Sequence, residues 1–126
     1  MRRRVVIYVA SAIISLLSIV FYYEAHYWLR SKSFVVELTD NGFNPQWLKI
    51  SKNDSVLFIN KGKLPHWPAS DDHPFHQRCP GFDAARPLNS GESYVLKFDF
   101  NISRYGLCSY HDHLDPNRNY IIEIVR

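Results

Sequence analysis

The sequence predicts an all-β sandwich standing behind one N-terminal membrane-spanning helix, and three observations predict it. An uncharged apolar run opens the chain, short stretches of alternating apolar and polar residues recur through the rest, and aromatic residues make up 15% of the 126 positions. Eight Tyr and eight Phe suit strands better than helices. Hydrophobic residues at 46% against charged residues at 21% describe a chain that buries a core rather than a disordered tail. The length allows one domain and a short appendage.

The appendage is the first thirty residues. Arg2, Arg3 and Arg4 precede the 19-residue run from Val5 to Tyr23, VVIYVASAIISLLSIVFYY, which carries no charge. At about 1.5 Å per residue such a run crosses the ~30 Å hydrocarbon core of a bilayer as a helix. Its three serines can return hydrogen bonds to the helix backbone. Tyr22, Tyr23, Tyr27 and Trp28 follow as an interfacial aromatic belt would. Arginines before the span put the N-terminus in the cytoplasm and the rest outside. The rival reading is a cleaved signal peptide. The run is long for one, and Phe21-Tyr-Tyr-Glu-Ala-His26 offers no clean small-residue cleavage site. The expectation is therefore a single-pass anchor in the cytoplasmic membrane, spanning about 5–23 within a 1–30 segment, with residues 31–126 on the periplasmic or extracellular side.

The formal net charge of +3 belongs to that anchor, since residues 31–126 hold 11 basic and 11 acidic side chains. A near-neutral domain lacks the basic face that nucleic acid requires. No Gly-rich phosphate loop and no Gly-x-Ser-x-Gly nucleophile setting is present. The domain is expected not to be an enzyme.

Within 31–126 the strands are expected at Ser33–Leu38, Trp47–Ile50, Ser55–Asn60, Tyr94–Phe100, Arg104–His113 and Tyr120–Val125. Val56 and Phe58 alternate onto one face. Asn41-Gly42, Ser51–Asp54 and Asn89-Ser-Gly91 are turn signals. Lys61 to Leu88 is a long Pro-, Asp- and His-containing segment without periodicity, and a loop of that length in a small domain is usually functional. Asn53-Asp-Ser55 and Asn101-Ile-Ser103 match glycosylation sequons.

The stretch NGFNPQWLKISKNDSVLFINKGKLPH resembles the first half of a cupredoxin, and PLNSGESYVLKFDF followed by YG, SYHDHLDP and IIEIV resembles the second half. The likeness covers about residues 33–126. It is similar to the plastocyanin-like domains, in particular the EfeO-type group, through HWPASDDHPFHQRCPGFDAARPL and the YHDHL motif. It implies a Greek-key β-sandwich. A blue-copper member takes one His from the loop after the V-x-F-x-N strand, here His66, and the rest from a C-x-x-H-P-x-M-x-G loop. Aligned on Pro116 and the last strand, this chain has Asp112 at the Cys position, Asp115 at His, Arg118 at Met and Tyr120 at Gly. The resemblance thus implies a degenerate type 1 copper site that keeps only His66. A competing alignment on Cys108-Ser-Tyr-His111 restores a thiolate and an imidazole, but leaves more residues before the final strand than the usual short ligand loop holds.

Cys79 and Cys108 are the only cysteines, and in an oxidising compartment an even pair reads as a disulfide. Five of the six histidines fall in two windows, His66, His73 and His76 in the long segment and His111 and His113 on a strand. Residues i and i+2 of a strand share a face, so His111 and His113 stand side by side while Asp112 points away. Two strand imidazoles with His76 or His66 from the loop make a candidate Zn²⁺ or Cu²⁺ site, which Asp71, Asp72, Asp112 or Asp115 could complete or orient. Because a cupredoxin's loop His faces the Cys position, His66 with Asp112 and Asp115 is one possible cluster and His76 with His111 and His113 another.

The leading expectation is a membrane-tethered cupredoxin-like domain that binds copper, with zinc as the alternative ion, and exchanges it with a metal donor or acceptor. Two alternatives are a blue-copper electron carrier using Cys108, with a redox protein as partner, and a metal-free, disulfide-stapled interaction module.

Overall fold

The structure, a computed structural model, describes residues 2–98 and 106–125, and within the helix the side chains from Val6 to His26. The Asn101–Ser103 sequon, the ends of two expected strands (Asp99, Phe100, Arg104, Tyr105) and the side chains of Arg2–Arg4, Tyr27 and Trp28 lie outside the described residues. The chain divides into two compact units, Met1–Ser31 and Lys32–Arg126.

The first unit is helix α1, Arg2–Arg30. Its window Val6–His26 has a mean hydropathy of 2.1 and is long and apolar enough to cross a membrane, as is the helix of a signal sequence. In hydrocarbon a lone hydroxyl needs a partner. Ser11 and Ser18 supply their own, donating to the Tyr8 and Ile14 carbonyls at 2.9 and 2.8 Å.

The second unit is a sandwich of two four-stranded sheets. Its strands are β1 Ser33–Thr39, β2 Gly42–Asn44, β3 Trp47–Ser51, β4 Ser55–Asn60, β5 Pro68–Ser70, β6 Ser93–Lys97, β7 Leu107–Asp112 and β8 Asp115–Val125. One sheet has the order β2-β1-β4-β6, the other β3-β8-β7-β5. Consecutive strands thus repeatedly change sheets, and β1 with β4 and β3 with β8 run parallel. Alternation builds the core. Val36, Leu38, Val56, Phe58 and Leu96 from one sheet meet Ile50, Tyr110, Tyr120, Ile122 and Ile124 from the other. Aromatic rings fill the centre, with Phe58 5.6 Å from Tyr110 and Phe43 stacked 4.6 Å from Tyr120. Gly42 is required by that stack. Its φ is +122°, and a Cβ there would lie 2.7 Å from the Tyr120 hydroxyl.

Two strands escape the sequence pattern. β2 and β5 have three residues each, too short to alternate, and β5 opens on a proline. The last strand also starts earlier than expected, at Asp115 rather than Tyr120. β7 and β8 form a hairpin in which His111 pairs with Asn119 and Asp112 with Asp115, leaving Pro116, Asn117 and Arg118 as a bulge. A bulged hairpin therefore stands where the resemblance placed a ligand loop.

The segment Lys61–Leu88 is tied down at several points. Buried Asn60 donates to the Leu64 and Leu88 carbonyls, each at 2.8 Å, and accepts from the Gly62 N–H at 2.8 Å. Phe82 sits in the core against Phe58 and Tyr110 at 5.4 and 5.1 Å. Cys79 and Cys108 are bonded, with Cα atoms 5.8 Å apart and a sequence separation of 29. Closing a loop of that size removes about 3–4 kcal/mol of chain entropy from the unfolded state. Reducing the bond should therefore lower the melting temperature of the sandwich by ~15–25 °C. Thermal unfolding followed by near-ultraviolet circular dichroism with and without a phosphine reductant measures this, and an unchanged midpoint would assign the bridge no stabilising role.

Candidate metal centre

β7 carries the site on the face away from the core. Cys108 and Tyr110 point inward, so period two turns Ser109 and His111 outward. His113 follows in the hairpin turn, held by its N–H bond to the Trp67 carbonyl at 2.8 Å. The long segment leaves β5 at the edge of the sheet, crosses this outer face with Asp71, His73 and His76, then returns to seat Cys79 and Phe82 in the core. The Asp71 N–H bonds the Ser109 carbonyl at 3.0 Å and starts the crossing in register with β7. His76 is held at φ 53°, a left-handed conformation that costs a non-glycine residue on the order of 1 kcal/mol. Its N–H bond to the Asp72 carbonyl at 2.7 Å fixes it there.

The result is a group of four imidazoles. One nitrogen each from His73, His76, His111 and His113 lies within 4.8 Å of the other three. Neighbouring carboxylates orient two of the rings. Asp71 Oδ1 lies 2.7 Å from His111 Nδ1, and Asp83 Oδ2 lies 2.8 Å from His76 Nδ1. A carboxylate accepts, so both Nδ1 atoms carry the proton and both Nε2 lone pairs face the group. There His76 Nε2 meets His113 Nδ1 at 2.8 Å, and His111 Nε2 meets His73 Nδ1 at 3.3 Å. Each meeting needs either a proton on the second ring or a cation between the two. Nitrogens bound to Zn²⁺ at about 2.0–2.1 Å are roughly 3.3–3.5 Å apart in a tetrahedron, so small ring shifts suffice for an ion to enter.

Electrostatics favour neutral rings at His113 and a charged carboxylate at Asp83. Loss of hydration, then the facing His76, His73 and His111, hold the His113 imidazole below its usual value. Burial works to raise the Asp83 carboxyl, but bonds from Trp67 Nε1, the Ala85 N–H and His76 outweigh it and hold it below the usual range. Trp67 closes one side. Its Nε1 donates to Asp83 Oδ1 at 2.6 Å, and its ring lies 4.3 Å from that of His113.

The other sequence candidates lie on the inner side of β7. His66 Nδ1 is 2.6 Å from Asp112 Oδ2, and Asp112 Oδ1 accepts from the Trp67 and Leu114 N–H groups at 2.8 and 3.1 Å. Asp112 is thus consumed by hydrogen bonds. Asp115 accepts from Asn117 at 3.3 Å and stands at the rim beside Arg118. His66 Nε2 is buried without a partner, 3.8 Å from Asp40 Oδ1. These residues line a cleft of about 260 Å³ with Phe43, Leu64 and Tyr120. The structure therefore places His76 with His111 and His113, adds His73, and sets His66, Asp112 and Asp115 apart. His73 was visible in the sequence as a third loop imidazole. Asp83 and Trp67 carried no local signal there, because their roles depend on the path of the loop.

No protein-family profile and no curated protein matches the chain. Solved structures do. The purple cupredoxin of Nitrosopumilus maritimus is 20% identical, with a TM-score of 0.59 over 73% of this chain and 99% of that one. A reduced Cu(I) form of an amicyanin variant is 16% identical, with a TM-score of 0.59 over 74% and 82%.

The fold is that of a cupredoxin.

A copper-containing nitrite reductase from Thermus scotoductus is also similar, at 20% identity and a TM-score of 0.58 over 75% of this chain and 22% of that one. Against the cupredoxin ligand pattern, this chain lacks the Cys and Met, and both of its sulfhydryls are joined in the disulfide. No thiolate is available to a metal in this state, and the chemistry on offer is imidazole nitrogen with supporting carboxylate.

Proposed function

We propose that this chain is a membrane-anchored metal-binding protein that holds one copper or zinc ion through His73, His76, His111 and His113. The observation that carries the reading is the convergence of four imidazole nitrogens within 4.8 Å, two of them aimed by carboxylates. Imidazole suits Cu²⁺ and Zn²⁺, and a His ligand backed by a carboxylate is a recurrent metal-site arrangement. The neighbours named for copper, a purple cupredoxin and a Cu(I) amicyanin, support copper as the first ion to test. The helix α1 tethers the domain on the outer side of the cytoplasmic membrane, where it binds, buffers or hands on the ion to a partner. Two of the four ligands ride on a loop, which suits exchange, and four protein ligands without an open position suit a carrier better than an enzyme.

The test is metal analysis of the full chain purified in detergent. About one equivalent of Cu²⁺ or Zn²⁺ per chain is expected, without the intense visible absorption of a Cys–Cu(II) bond. Affinity should fall below about pH 6, because an imidazole must be neutral to coordinate and its reference pKa is about 6.5. The lowered His113 works against that loss at its own position, since that ring stays free of protons until the pH is lower. Failure to hold either ion above background would leave the disulfide-stapled interaction module as the reading.

A further inference from the structure

We propose that the Cys79–Cys108 disulfide and the four-histidine group are thermodynamically coupled, so that reduction weakens metal binding and bound metal protects the disulfide. This concerns the regulation of the same site and rests on the metal-binding reading above. The ligands come in two halves. His73 and His76 lie on the loop, and His111 and His113 lie on β7 and its turn. The disulfide joins those two halves and no others. Cys79 stands three residues after His76, and Cys108 three residues before His111.

Most other described bonds of the loop stay within it or return to β5. The His76 N–H goes to Asp72, the Arg78 N–H to Asp71, the Phe82 N–H to Cys79 and the Ser70 N–H to Phe82. The Cys79 N–H goes to Ser70 Oγ. The Asp71 N–H reaches β7 at Ser109, but it lies before the first loop histidine. Removing the disulfide therefore leaves His73 and His76 on a segment held only by Asp71 before it and Phe82 after it, and so freer to sample open conformations. Each binding event must then order that segment, which lowers affinity.

Access gives the reciprocal effect. Cys79 and Cys108 are both 0% exposed, so a reductant reaches the bond only after the loop lifts. A metal bonded to both halves opposes that lift. Linkage requires that whatever factor reduction takes from metal affinity, metal takes from the tendency of the disulfide to be reduced. The chemistry balances without the metal changing charge. A dithiol reductant passes two electrons and two protons to the S–S bond, giving two protein thiols and its own disulfide, and the ion leaves as it came. The partner class is thus a dithiol oxidoreductase acting on the metal-free protein.

The experiment has two arms, both on the full chain in detergent with Zn²⁺ as probe. In the first, zinc affinity is measured by competition with a chromophoric chelator for the oxidised protein and for Cys79→Ala with Cys108→Ala. The variant should bind about tenfold or more weakly, within the usual range of coupling between sites. In the second, the rate at which a phosphine reduces the wild-type disulfide is read by thiol labelling and mass spectrometry. Saturating Zn²⁺ should slow it severalfold. The second arm uses no variant and decides the matter even if the first variant fails to fold. A reduction rate indifferent to zinc, or equal affinity of the two folded forms, overturns the coupling and leaves the site intact. Failure of the oxidised wild type to bind either Zn²⁺ or, in the same competition, Cu²⁺ overturns the metal reading and the coupling together.

Discussion

Replacing His111 and His113 together by Ala should lower affinity for Cu²⁺ or Zn²⁺ by a hundredfold or more, beyond the ~10–100-fold that loss of a supporting carboxylate costs. The double change removes two of four converging nitrogens and takes from His76 Nε2 and His73 Nδ1 the strand nitrogens they meet. His66→Ala is the informative contrast. His66 faces the core side of β7 and its Nδ1 is bonded to Asp112, so affinity should stay within about threefold of wild type. Stability should instead fall by about 1–3 kcal/mol, because a buried carboxylate loses a partner. His26→Ala, in the helix, should change neither. Asp71→Ala should fall between, since Asp71 only aims the His111 ring. Isothermal titration of the four variants measures the order. Full affinity in the double variant would remove the outer face of β7 from consideration, and a large loss in His66→Ala would move the site to the inner cleft.

That contrast also marks what the sequence could and could not disclose. The sandwich was legible because alternation is local, and Val56 and Phe58 declare their face from their spacing alone. The cysteine pair was legible because two cysteines allow one pairing. The facing of His111 against Asp112 followed from period two and is what the structure shows. The loop was different. Its 28 residues hold three histidines and three aspartates, and nothing in their order states that the chain crosses the outer face of β7 before returning to the core. That path is set by Phe82 and Cys79 entering the core, and it decides that His73 joins His76 while His66 stays behind at the first turn. The resemblance pulled attention to His66, whose Nδ1 is committed to Asp112. The hairpin bulge at Pro116–Arg118 was hidden for a related reason, since a proline and two polar residues read as loop whether or not the strands on either side continue.

Phe82→Ala should be the most damaging single change in the loop, costing about 3–5 kcal/mol of stability, or a melting temperature lower by ~15–25 °C. Phe82 is 0% exposed and fills the space between Phe58, at 5.4 Å, and Tyr110, at 5.1 Å. Truncation opens a cavity among rings that are already paired across both sheets and cannot collapse freely. The consequence reaches the site, because Phe82 is the residue that draws the loop back after His76 and places Asp83 against it. Loss of that anchor should weaken metal binding as well as stability, since Asp83 would no longer hold Nδ1 of His76. Phe75 supplies the control. It lies on the same loop between His73 and His76 but is 73% exposed, so Phe75→Ala should shift stability by no more than about 0.5 kcal/mol. Chemical denaturation of the two variants beside wild type distinguishes them. Equal effects at Phe82 and Phe75 would mean that the loop is not anchored through the core, and the positions of His73, His76 and Asp83 would then need another support.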